Sequence, residues 1–156
     1  MNVWYRIFGT KDLQPGPAVV IEQIRSLGIE AEGRFYGDDQ GWFQVELRSA
    51  RDIPFLAIER FLAEEEGIRA QLNTWAAWLE TAEENPNHGW LMQHVISTCQ
   101  LFTLHELSEE FERPVIEKLC LTFCRFLARE TAGVYQVDEQ GFFAAEGTLL
   151  VEERLP

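Results

Sequence analysis

Residues Pro114 to Val151 constrain this chain more than any other stretch. Val115, Ile116, Leu119, Cys120, Phe123, Cys124, Phe126 and Leu127 cover most of a helix circumference. Lys118, Thr122, Arg125 and Arg129 leave only one polar stripe, at offsets of four, three and four residues. A helix this apolar has to be buried on most sides, so other elements must wrap it. Thr131-Ala132-Gly133 predicts its end, with Gly133 as the residue able to turn left-handed. The chain then reads as a hairpin: Val134 to Val137, a turn at Asp138-Glu139-Gln140-Gly141, and a return through Phe142-Phe143-Ala144.

Upstream, Val3 to Phe8 alternates as a strand, and Pro17 suits the first position of a helix ended by Gly28. Glu32 to Tyr36 and Trp42 to Leu47 form a second hairpin around Gly37-Asp38-Asp39-Gln40-Gly41, where Asp and Gly favour a tight reversal. Asp52 reads as the N-cap of a long helical region from Ile53 to about Glu84, with Phe55, Ile58, Phe61 and Leu62 as its first apolar stripe. Gly67 kinks or divides it, and Ile68, Leu72, Trp75 and Leu79 continue at four-three-four spacing. Asn85-Pro86-Asn87-His88-Gly89 is the clearest break, followed by a strand over Val95 to Leu104.

The segment Asp38-Asp39-Gln40-Gly41-Trp42-Phe43 aligns position for position with Asp138-Glu139-Gln140-Gly141-Phe142-Phe143. Each follows a strand and a helix, which suggests two βαββ units, at about 1–50 and 93–152, joined by a helical connector at about 52–84. The element order β-α-β-β-α-β is also that of ferredoxin-like folds. The expectation is one α+β domain over residues 1–156, with helices packed against antiparallel sheet. A domain of this length buries about 70% of its unfolded surface.

Charge narrows the partners. The 26 acidic residues outnumber the 13 basic ones, leaving net −13. No Lys/Arg cluster offsets that field, which argues against nucleic acid and membrane as partners. Lys11 and Lys118 are the only lysines, so the cations are mostly arginines, suited to forked pairing with carboxylates. Cys99, Cys120 and Cys124 lie in apolar surroundings and read as free thiols of a cytoplasmic protein. Met1-Asn2-Val3-Trp4 lacks the start of a secretory signal.

No catalytic constellation emerges. Cys99, Cys120, Cys124 and His105 number enough for zinc, but no two cysteines have a short paired spacing. His88, His94 and His105 are scattered, and His105-Glu106 is the one adjacent acid/base pair. Phosphate-cradling glycine loops and a Gly-x-Ser-x-Gly elbow are absent. Neither cofactor nor metal is expected. The leading expectation is a non-catalytic, acidic interaction or regulatory protein for a basic protein partner. A homodimer is compatible with the sequence. The alternative is a small enzyme or ligand-binding domain built from dispersed Arg, Glu and His residues.

Strict alternation places the candidate surface. With Phe43, Val45 and Leu47 toward the helices, Trp42, Gln44, Glu46 and Arg48 take the other face, joined there by Trp4, Arg6 and Phe8. The candidate binding residues are Trp4, Arg6, Trp42, Glu46 and Arg48, the aromatic and arginine types that dominate interface energy.

Overall fold

The structure, a computed structural model, describes residues 3–153. The Met1-Asn2 start read above for a leader lies outside them. Eight strands and four helices follow one another as β1 (Tyr5–Gly9), α1 (Pro17–Arg25), β2 (Ala31–Asp38), β3 (Gly41–Ser49), β4 (Pro54–Leu62), α2 (Ile68–Glu80), α3 (His88–Ile96), β5 (Gln100–Glu106), α4 (Arg113–Glu130), β6 (Val134–Val137), β7 (Gly141–Ala144) and β8 (Leu149–Glu152). All strands join one antiparallel sheet in the order β2-β3-β4-β5-β1-β6-β7-β8. The architecture is α+β. Among the described residues, no helix is long and apolar enough to cross a membrane.

The apolar helix lies where its composition demands, except that Val115 in its first turn is exposed. Ile116, Leu119, Cys120, Phe123, Cys124, Phe126 and Leu127 of α4 are buried, together with α1 residues Val20 and Ile24. They share one core with Tyr5, Ile7, Val45, Leu47, Phe55, Ile58, Phe102 and Leu104 of the sheet. Helices α2 and α3 cover part of the opposite face, where Leu72, Leu79, Leu91 and Val95 pack with Phe8, Leu101, Val134, Phe142 and Val151. Trp75 and Trp78 set their rings 5.7 and 5.8 Å from that of Phe142. The connection β5-α4-β6 crosses over β1, which fills the gap between its two parallel strands.

Several expectations are corrected. Residues Pro54–Leu62 are a strand, not the first turns of a connector helix. Phe55, Leu56 and Ile58 all enter the core beneath α1 and α4, because a register shift opposite Leu47 and Arg48 makes Phe55 an extra residue on β4, while Ala57 is buried on the other face. A short run of that kind satisfies helical spacing equally well. Asp52 accordingly caps no helix; it sits in the β3–β4 turn at φ 60°. Gly67, at φ 85°, precedes the first residue of α2, so it divides the region and kinks no helix. Residues from Val95 belong to the end of α3, and β5 starts only at Gln100. At the end of α4 the left-handed residue is Ala132, at φ 51°. Gly133 is required for another reason: a Cβ there would run into the carbonyl oxygen of Phe8.

The two matching hairpins form different turns. Asp38 pairs with Gly41 around a two-residue loop, whereas Val137 pairs with Gly141 around three residues with Glu139 at φ 70°. They also occupy different places. The first forms the outer pair β2–β3, and the second forms β6–β7, directly beside β1. The order of this larger sheet is not that of two equivalent βαββ units around a helical connector.

Candidate functional site

The decisive local feature is a bulge in β3. Tyr36 faces Gln44, while Gly37 faces Trp42, so Phe43 is an extra residue on its strand. A bulge of this kind resets the side-chain alternation beyond it. Trp42 therefore falls on the same side as Val45 and Leu47, and is only 6% exposed. Its ring lies 5.8 Å from that of Phe102, and its indole N–H donates to the Pro15 carbonyl at 2.8 Å. Phe43 is turned outward at 46% exposure. Trp42 thus leaves the face on which alternation placed it. Trp4, Arg6, Glu46 and Arg48 remain together on that opposite face, where Phe8 is buried beneath α2.

Two rows of side chains cross that face. One runs Arg34, Glu46, Ala57, His105, with Trp4 following; the other runs Tyr36, Gln44, Glu59, Thr103, Arg6, Gln136. The helices reach only the β1, β5–β8 side and the end of β4, through contacts with Phe61, Leu101, Phe8, Val134, Phe142 and Val151. Toward β2 the same face carries exposed or half-buried polar side chains.

The arginines of this face are already engaged. Arg6 donates to Asp138 at 2.6 Å and to Gln136 at 2.8 Å, with its guanidinium 5.1 Å from the Trp75 ring centre. Asp138 also accepts the Trp4 backbone N–H at 3.2 Å. Arg48 bonds Glu46 and, at 2.7 Å, Asp52; hydrogen bonding from Arg48 holds the Asp52 carboxyl below its ordinary range. Arg34 lies 3.6 Å from the same Asp52.

The acceptors around Thr103 are in the reverse condition. Thr103 Oγ1 and His105 Nδ1 are the two buried side-chain polar atoms without a hydrogen-bond partner among the described residues. They project from the same side of β5, with Glu59 opposite Thr103 across the β4–β5 pair. Glu59 Oε1 stands 3.9 Å from His105 Nδ1, beyond hydrogen-bond distance. Neither Glu59 nor Glu32 has an arginine or lysine within ion-pair distance among the described residues. The half-buried Trp4 ring stacks on the His105 imidazole, centroids 4.2 Å apart and planes 20° from parallel. Sequence spacing paired His105 with Glu106; Glu106 instead meets Arg113 at 3.4 Å. Glu59 and Thr103 were missed, because only strand pairing brings them beside His105.

The other groups weighed as sites are separated. Cys120 and Cys124 lie in the α4 core, while Cys99 hydrogen-bonds the Gly9 carbonyl. Burial pushes the Cys120 thiol up to about 12 and raises Cys124 as well, so neither is a ready nucleophile. A cavity of about 320 Å³ is lined by Asp12, Gln40, Arg60, Leu62, Glu64 and Cys99. Asp12 and Glu64 offset Arg60 there, and burial raises the Cys99 thiol. Arg60 spends its Nε–H on Gln100 at 2.8 Å, and Gln100 in turn donates to the carbonyls of Lys11 and Leu13, so these groups brace the β1–α1 loop. Comparison with protein-family models, curated proteins and solved structures finds no match to this chain.

Proposed function

We propose that this chain is a non-catalytic interaction protein that receives a basic segment of a protein partner on the uncovered part of its sheet. One cationic side chain of that segment seats between the Trp4 ring and the Glu59 carboxylate. The observation that carries this reading is the imbalance of donors and acceptors on that face. Its arginines are each bound to carboxylates, whereas Glu59, Thr103 Oγ1 and His105 Nδ1 have no donor. With the imidazole proton on Nε2, Nδ1 is an acceptor, and a guanidinium brings several donors in one plane. Glu59 supplies the countercharge, and the Trp4 ring offers its face to the cation. Thr103 Oγ1 and His105 Nδ1 lie beneath the surface, so the cation reaches them only as the side chains over them move aside. The net charge of −13 steers a basic partner toward the protein from a distance, an effect that weakens as salt is added.

Titration of the ¹⁵N-labelled protein with an arginine-rich peptide tests the reading. The Trp4 indole and the amides of Thr103 to His105 are expected to shift most, and added salt should weaken binding. Glu59→Gln removes one charged acceptor and should weaken the peptide about tenfold, the equivalent of a charge-assisted hydrogen bond. The reading fails if Glu59→Gln binds like wild type, or if the shifts centre on the exposed acidic segments at Glu64-Glu65-Glu66 and Glu80 to Glu84.

A further inference from the structure

The two edges of the sheet are unequal. β8 spans four residues, whereas β2 spans eight and presents its outward amides and carbonyls to no other strand. Long edges of this kind are templates for pairing unless proline, a bulge or a covering segment blunts them. β2 contains no proline, and the register shift beside it falls on β3. Glu32, Arg34 and Tyr36 of β2 are exposed, and all three project from the face that carries Trp4 and Glu59.

We infer that β2 pairs antiparallel with β2 of a second copy of this chain, around a two-fold axis at Gly33. A two-fold axis normal to the sheet keeps every side chain on its own face, so residues opposite one another must have the same parity in β2. Centring on Gly33 sets Glu32 against Arg34 of the second copy and, by symmetry, Arg34 against its Glu32, with Arg34 shared between that glutamate and its exposed contact to Asp52. On the other face the same register sets the half-buried Phe35 against Ala31 twice. The neighbouring registers lack this fit. Centring on Glu32 opposes two glutamates, centring on Arg34 opposes two arginines, and centring on Phe35 opposes Glu32 to Asp38. Like charges directly opposite destabilise a strand pair, so charge favours the Gly33 register over these neighbours. Centring on Tyr36 would oppose Arg34 to Asp38 and leave Glu32 outside the pairing, so the Glu32 reversal separates the two. The product is one continuous sheet with both Trp4–Glu59 faces on the same side.

Sedimentation equilibrium at micromolar concentration tests the pairing. The expected mass is twice the 18.0 kDa of one chain. Glu32→Arg and Arg34→Glu should each weaken the dimer about tenfold or more, since each makes two opposed pairs repulsive. The double variant Glu32→Arg/Arg34→Glu restores both pairs and should restore the dimer. Both side chains are exposed, so circular dichroism should remain that of wild type. A wild-type monomer overturns the inference, and so does a dimer that ignores the single reversals or is not recovered by the double one. Basic-peptide binding by the Glu59 face is measured separately and does not depend on the mass.

Discussion

Two tryptophans that alternation placed together lie on opposite faces, and their truncation should separate them energetically. Trp42 is 6% exposed and packs against Phe35 and Phe102. Its replacement by alanine removes a fully enclosed indole and leaves a cavity, a change that costs about 3–5 kcal/mol. A domain of this kind has about 5–15 kcal/mol in total, so the variant approaches the edge of foldability. With a urea dependence of about 2 kcal/mol per molar, the unfolding midpoint should fall by about 2 M. Trp42→Phe keeps the ring contacts but strands the Pro15 carbonyl, which now accepts the indole N–H at 2.8 Å. It should cost about 1–3 kcal/mol. Trp4→Ala removes a half-buried ring stacked on His105 and should cost only about 1 kcal/mol. Far-ultraviolet circular dichroism is the suitable probe, because five tryptophans confuse fluorescence. If Trp42→Ala proves no more costly than Trp4→Ala, the assignment of Phe43 as the bulge residue is wrong.

Two further perturbations probe the interior. His94 hydrogen-bonds the Phe8 carbonyl at 3.1 Å, and burial holds its pKa below the ordinary value. The unfolded chain takes up that proton first, so this contribution is whole above about pH 6.5 and is lost as pH falls through the depressed folded value. Denaturation midpoints for wild type and His94→Gln should therefore converge as pH falls below about 6.5; parallel curves would remove His94 as their source. Gly133→Ala drives a Cβ into the Phe8 carbonyl and should cost about 2–3 kcal/mol. Gly28→Ala meets open space at φ 73° and should cost about 1 kcal/mol. Thermal melts that rank the two alanines the other way would contradict the close approach at Gly133.

What the sequence made legible was local. The α4 pattern located the polar stripe and every residue read from it as buried except Val115, which lies in the exposed first turn. The hairpins at Asp38–Gly41 and Val137–Gly141 were readable because Asp and Gly mark reversals. β4 was not, since the extra residue Phe55 puts Phe55, Leu56 and Ile58 in one core and breaks the period-two signature. The Phe43 bulge was hidden too. A bulge is a relation between two strands, and neither Trp42 nor Phe43 records which of them Gly37 opposes. The cluster of Glu59, Thr103 and His105 depends on the β4–β5 pairing in the same way. Trp4, Arg6, Glu46 and Arg48 could be placed on a common face because the shift beside Leu47 and Arg48 puts its extra residue, Phe55, on β4 and leaves the alternation of β3 from Gln44 to Ser49 intact.

The position of β1 governs how this sheet can be made. Tyr5 pairs with Leu104 on one side and with Val137 on the other. On the ribosome, a strand synthesised early must keep both edges unpaired until residues far downstream emerge. Ile7 and Phe8 are fully buried at the end, so they remain exposed to water throughout that interval. Closing such long loops is entropically slow, and sheets rich in distant pairings fold in about milliseconds to seconds. The half-sheet β2-β3-β4 uses only neighbouring hairpins and can assemble while synthesis continues. Its β4 edge then waits for β5, which joins it to β1. A ribosome stalled before Val134 would release a chain whose central strand has one partner and one bare, aggregation-prone edge.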